Sequence, residues 1–171
     1  MSVAPAAEKV LAELRYDFRS FTIGDFISHI GQERQRTIIT IPWRMPPALF
    51  GAWMSDADEP KEYIFYRENV PVIHQIHIQL HELSHFLLGH PTLQINRTMI
   101  ASRVLEGEAL LPFADLPRLR SPHKDDFEFQ AETLASLIQK EVIQKASLGR
   151  LANDLSSEVK LAHFLQTMGL S

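Results

Sequence analysis

The sequence predicts an α+β fold: one domain over residues 1–171, with a small antiparallel sheet packed on a histidine-rich helix and a downstream glutamate-bearing helix. Three observations carry that reading. Short β-branched or aromatic runs between residues 36 and 67 are separated by proline, glycine and acidic turn residues. Residues 72–89 set apolar side chains at helical spacing against histidines on the other side. Residues 125–146 repeat the helical period.

Taken in order, Val10, Leu11, Leu14 and Phe18 share one face and predict a helix over residues 5–18. A second short helix follows in "FTIGDFISHIGQ", with Thr22 as cap and Gly31 as stop. "RTIITI" (36–41) is a strand ending at Pro42, and "ALFGAWM" and "EYIFYR" are two more, split by the turn "SDADEPK". Residues 91–124 are poorly patterned and hold prolines at 91, 112, 117 and 122. The helix of 125–146 comes next, then a final amphipathic helix from about Ser156 to Met168.

Composition excludes several function classes. Forty-five per cent hydrophobic and 22% charged residues describe an ordinary globular protein. A net charge of −4 and no run of Lys and Arg argue against direct nucleic-acid binding. Without cysteine there are neither disulfides nor thiolate metal sites. The first twenty residues mix charges into their apolar positions, unlike a signal peptide, and no apolar run has the length of a membrane span. The expectation is a cytoplasmic protein.

On a helical wheel, His74, His77, His81 and His85 fall within about 80° of one another, opposite Ile73, Ile76, Leu80, Leu83 and Leu87. Pro71 suits the helix start and Gly89 its end. In "HELSH", His81 and His85 lie one turn apart, so both imidazoles can reach one zinc ion. Glu82 falls beside that ion, where a general base for water belongs. His90 points about 140° away from His85 on the same wheel, which excludes it as a ligand and leaves it a helix-end polar contact. His74 and His77 lie on the metal's side, one and two turns earlier, as groove or supporting residues. For a third ligand, Glu128 and Glu132 on the later helix compete with Glu106 and Glu108 in "VLEGEALLP". Glu128 also has a purely structural explanation, a capping box with Asp125.

"HELSHFLLGH" followed by "EFQAETLASLI" resembles the ImmA/IrrE-type zinc metallopeptidase family. Its members carry HExxH and, on a later helix, a glutamate-led segment that completes the zinc site. That glutamate matches Glu128, with Gln130, Ala131, Leu134 and Ala135 filling the other positions. The run from Ile64 to His85 also resembles a compact bacterial subfamily with a His-Gln-x-His-Ile stretch before HExxH. The likeness covers roughly residues 40–140 and departs from the wider family at His74–Leu80, where an arginine-rich entry is usual.

The resemblance implies a gluzincin-like peptidase core with Zn2+ held by His81, His85 and Glu128 and with Glu82 as general base. It implies a helix-turn-helix repressor as the substrate, cut to relieve transcriptional repression. Supporting or oxyanion-binding roles fall to His77, His74, Glu132 or Tyr66, with Tyr63 and His123 also open. The substrate is expected to pair with residues 62–67 as an added strand. The rival readings are a zinc-holding binding partner or toxin–antitoxin component without turnover, and a zinc hydrolase of small amides.

Overall fold

A computed structural model describes residues 4–105, 113 and 116–155. Glu106, Glu108 and the helix expected from Ser156 lie outside the described residues. Helix α1 (Ala4–Glu13) stops earlier than its apolar period suggests. The chain then folds into a 3-10 turn at Phe18–Ser20, where the Asp17 carboxylate accepts from the Arg19 amide. Phe18 still reaches the core, edge-on to Tyr16 and beside Phe26. Thr22 caps α2 (Ile23–Arg34) by accepting from the Asp25 amide at 3.1 Å. Gly31 does not stop this helix; Gln35, at φ 53, does. A side chain at Gly31 would put its Cβ 2.7 Å from the Arg36 carbonyl oxygen, so the glycine serves close approach of the returning chain.

The sheet comprises β1 (Thr37–Trp43), β2 (Gly51–Asp56), β3 (Lys61–Arg67) and β4 (Leu93–Ile95), in the order β1-β3-β2-β4. It is mixed, and the antiparallel expectation holds for β2–β3 alone; β1 joins β3, and β4 joins β2, in parallel. The β2–β3 hairpin inserts β3 between β2 and β1, which makes β3 an inner strand. Its residues 62–67 therefore present no free edge, and a substrate cannot add there. β1 runs through Pro42, which an edge strand tolerates because no second neighbour needs its missing N–H.

Alternation along β2 and β3 feeds two cores. Trp53 and Ile64 join Phe26, Ile30, Leu80, Leu83, Leu134 and Ile138 on the helical side. Met54, Tyr63 and Phe65 join Ile95, Phe113 and Leu116 on the other. Two polar clusters fix the strands. Buried Glu62 accepts from Trp53 Nε1 at 2.7 Å and Ser55 Oγ at 2.5 Å, and pairs with Arg36 Nη2 at 2.6 Å. Asp56 accepts from the amides of Asp58 and Glu59, which closes the hairpin turn, and from the Tyr63 hydroxyl at 2.7 Å.

Helix α3 (Val72–Leu87) follows β3 and packs on the sheet and on α6 (Lys124–Leu155). Leu80, Leu83 and Leu87 are buried as the wheel predicts, but Ile73, in the first turn of α3, is 77% exposed. Pro71 precedes the helix and Gly89, at φ +67, turns the chain away after it. Among its described residues the unpatterned stretch forms two short helices, α4 (Arg97–Leu105) and α5 (Pro117–Arg120). Among the described residues, no helix is long and apolar enough to cross a membrane.

Burial, with the bond to Asp56, pushes the Tyr63 phenol from 10.0 up to about 12. Between those values the folded chain keeps a proton that the unfolded chain has lost, so this contribution to stability is present below pH 10.0 and disappears as pH rises toward about 12. Tyr63→Phe should flatten that alkaline decline, as read by urea unfolding at pH 9 to 11 (assay values of about that range). An unchanged decline would place its origin elsewhere.

Candidate metal centre

The polar stripe of α3 meets α6 through histidine and carboxylate. His85 Nε2 and His81 Nε2 stand 3.1 Å apart. Glu128 Oε2 is 3.1 Å from His81 Nε2, and Glu128 Oε1 is 3.6 Å from His85 Nε2. His85 is fully buried and Glu128 about one-third exposed. These three residues offer one ligand atom each, all within 4.8 Å of one another.

The group could hold a metal ion, and its spacing fits one. Two nitrogens about 2 Å from a tetrahedral ion stand about 3.3 Å apart, close to the separation of the imidazoles here. The charge balance fits as well. Glu82, Glu128 and Glu132 line one cavity of about 370 Å³, faced by Arg118 and the exposed Lys124, and this surplus of negative charge would be relieved by a cation. Helical spacing explains the convergence: His77, His81 and His85 recur one turn apart on α3, and Glu128 and Glu132 recur one turn apart on α6.

Electrostatics in the cluster are strongly coupled. Burial raises the Glu128 carboxyl's affinity for its proton, but hydrogen bonds from His81 and His85 and the charge of Arg118 hold it well below the usual carboxylate range. Burial pulls His81 down, yet Glu128, Glu82 and Glu132 outweigh it and leave its pKa raised. For His85 burial wins, aided by Arg118 and His81, and its pKa is lowered.

The other expected residues divide. Glu132 Oε2 is 3.2 Å from both His81 Nδ1 and His77 Nε2, so it links two rings of α3. His74 is exposed at the cavity mouth, its ring tilted over Phe50 at 5.4 Å between centroids. Tyr66, half-buried on β3, is not among the residues lining the cavity. Tyr63 is committed to Asp56 on the other side of the sheet, and His123 is exposed beside Asp126. The capping-box alternative for Glu128 fails because α6 begins at Lys124, which places Asp125 inside the helix and leaves Glu128 facing the histidines.

Three participants were not legible as such. Arg118 on α5, 2% exposed, donates from Nη2 to Glu82 Oε2 at 2.8 Å, and its Nε lies 3.5 Å from Glu128 Oε1. It sits in the unpatterned proline-bearing stretch, where no local signal marks it. Gly51, at the start of β2, runs against Glu82: a Cβ there would lie 2.8 Å from Glu82 Cγ and 2.6 Å from Ile78 Cγ2. His90 is not the simple helix-end contact that the helical wheel suggested. The helix ends before it, and its Nδ1 stands 2.7 Å from His85 Nδ1.

Set against protein-family models, curated proteins and solved structures, the chain matches none.

Gly51→Ala should push Glu82 and Ile78 aside, at a cost of about 1–3 kcal/mol for overpacking a closed contact. Urea unfolding reads this directly; wild-type stability in the variant would mean that β2 and α3 have room to part.

Proposed function

We propose that the chain is a zinc-dependent, site-specific endopeptidase with a gluzincin-like core, whose substrate is a helix-turn-helix repressor protein. The observation that carries this reading is the convergence of His81, His85 and Glu128, with Glu82 one residue beyond the first imidazole and facing the same cavity. Two imidazoles and a carboxylate are a donor set that suits zinc and leaves a position open for chemistry. Zinc, when held there, supplies Lewis acidity for water and for the scissile carbonyl.

The remaining work falls to the chain's own groups. Glu82 takes the proton of the attacking water and returns it to the departing amine. Arg118, bonded to one oxygen of that carboxylate, fixes its orientation and stands as a permanent cation beside the reacting centre. Glu132 holds the His81 ring through Nδ1. An extended peptide has a place to lie: β4 pairs with β2 only from Met54 to Asp56 and Thr92 Oγ1 donates to the Trp53 carbonyl, so among the described residues Gly51 and Ala52 have no strand on that side. Gly51 lines the cavity beside Glu82, and a backbone added there would pass the general base.

One observation favours a second reading, a zinc-holding partner without turnover. Glu82 is 3% exposed and already engaged by Arg118, as a residue retained for structure would be.

Elemental analysis should find about one zinc per chain, absent from His85→Ala and strongly reduced in Glu128→Ala. Full occupancy in His85→Ala would dispose of the site as drawn.

Glu82→Gln keeps the size of the side chain and should keep zinc, while losing cleavage about 10²-fold or more. Wild-type protein should cut a helix-turn-helix repressor at one position by mass spectrometry and leave casein intact. Stable binding with no cut, across metals and pH, would favour the partner without turnover.

A further inference from the structure

We infer that His90 and Gln130 are positioning residues that fix the proton and the orientation of the His85 ligand through a buried, directional hydrogen-bond chain. The inference rests on the metal reading and adds a residue pair to it. His85 is 0% and His90 6% exposed, so both rings depend chiefly on protein partners. His85 Nδ1 lies 2.7 Å from His90 Nδ1, and His90 Nε2 lies 3.1 Å from Gln130 Oε1.

Only one arrangement of protons satisfies this geometry when His85 serves as a ligand. A neutral imidazole that offers its Nε2 lone pair to an ion carries its proton on Nδ1. That proton is donated to His90 Nδ1, which must then be bare. His90 accordingly carries its own proton on Nε2 and donates it to the Gln130 amide oxygen. All four ring nitrogens of His85 and His90 then have a role. The Phe127 ring, 4.8 Å from that of His90 and tilted by 39°, holds the relay ring in plane.

The two ligand rings are thus oriented by different chemistry. His81 leans on the half-exposed Glu132 carboxylate, whereas His85 leans on a neutral ring that sets direction without adding charge. Gly89 makes this possible, because its φ of +67 turns the chain so that His90 comes back over His85. Helix α6 closes both ends of the arrangement, giving Glu128 to the cluster and Gln130, two residues on, to the chain.

The test is zinc affinity, measured by competition with a chelating dye at one fixed pH, on variants whose folding is first checked by circular dichroism. His90→Leu removes the acceptor and should lose about 10- to 100-fold in affinity. His90→Asn puts an amide oxygen near the place of Nδ1 and should recover most of that loss. Equal losses in the two variants, or none in His90→Leu, would overturn the assignment. Long-range 1H–15N correlation spectra of the zinc-loaded wild type give a second readout independent of any variant. They should show the proton on Nδ1 of His85 and on Nε2 of His90, and a proton on His90 Nδ1 would overturn the chain. A wild type that takes up no zinc overturns both this assignment and the metal reading. Tight zinc binding that ignores His90 overturns this assignment alone.

Discussion

Helix α3 lies between the sheet and α6, so from Ile78 to Leu87 it is largely enclosed, and one face there is built from histidine and glutamate. Polar atoms placed there must find partners, because an unmet buried donor or acceptor costs about 1–3 kcal/mol and an unpaired charge more. Much of the surrounding structure answers that demand. Arg118 comes from α5 to meet the Glu82 carboxylate. Glu128 comes from the first turns of α6 to face His81 and His85. Ser84 turns its hydroxyl back to the Leu80 carbonyl at 2.7 Å, a bond within the helix that needs nothing from outside. The placement of α5 and the start of α6 is therefore tied to the side chains of α3.

The answer is incomplete at one point. Arg118 is nearly fully buried, yet among the described residues its Nε and Nη1 have no hydrogen-bond partner. At the other end of the same strands Glu62 meets an indole, a hydroxyl and Arg36 Nη2 at once and ties the entry of β1 to β2 and β3, although among the described residues Arg36 Nε has no hydrogen-bond partner either. One buried carboxylate serves the fold through many neutral and charged donors. The other is held by a single arginine beside a cavity.

Local periodicity made α1, α2, α3, α6 and the α3 stripe readable in the sequence, but not α4 and α5. A turn-by-turn recurrence of histidine with leucine opposite has few interpretations, and a glutamate pair one turn apart on a later helix is the natural counterpart. What depends on distant contacts was not readable. Strand order follows from which hairpin inserts where, and the run 62–67 looks the same in sequence as an edge or as an inner strand. Arg118 lies among prolines with no period around it. His90 was judged by a wheel that presumes helix beyond Leu87, and Gly89 breaks that presumption by reversing the chain. The ends of α1 and α2 were misjudged by a few residues, since apolar spacing persists in the 3-10 turn and glycine is tolerated inside a helix when another chain must come close.

The half-paired β2 also bears on how this protein behaves at high concentration. Strand edges with open backbone groups recruit other strands, and long flat ones lead to aggregates. Here, among the described residues, the opening is confined to Gly51 and Ala52: Thr92 Oγ1 donates to the Trp53 carbonyl, and β4 takes over at Met54. Its first residue sits in a recess beside a buried glutamate–arginine pair, out of reach of a second sheet approaching broadside. A short, recessed gap of this kind offers another sheet little to pair with, so this edge adds little to any tendency to aggregate.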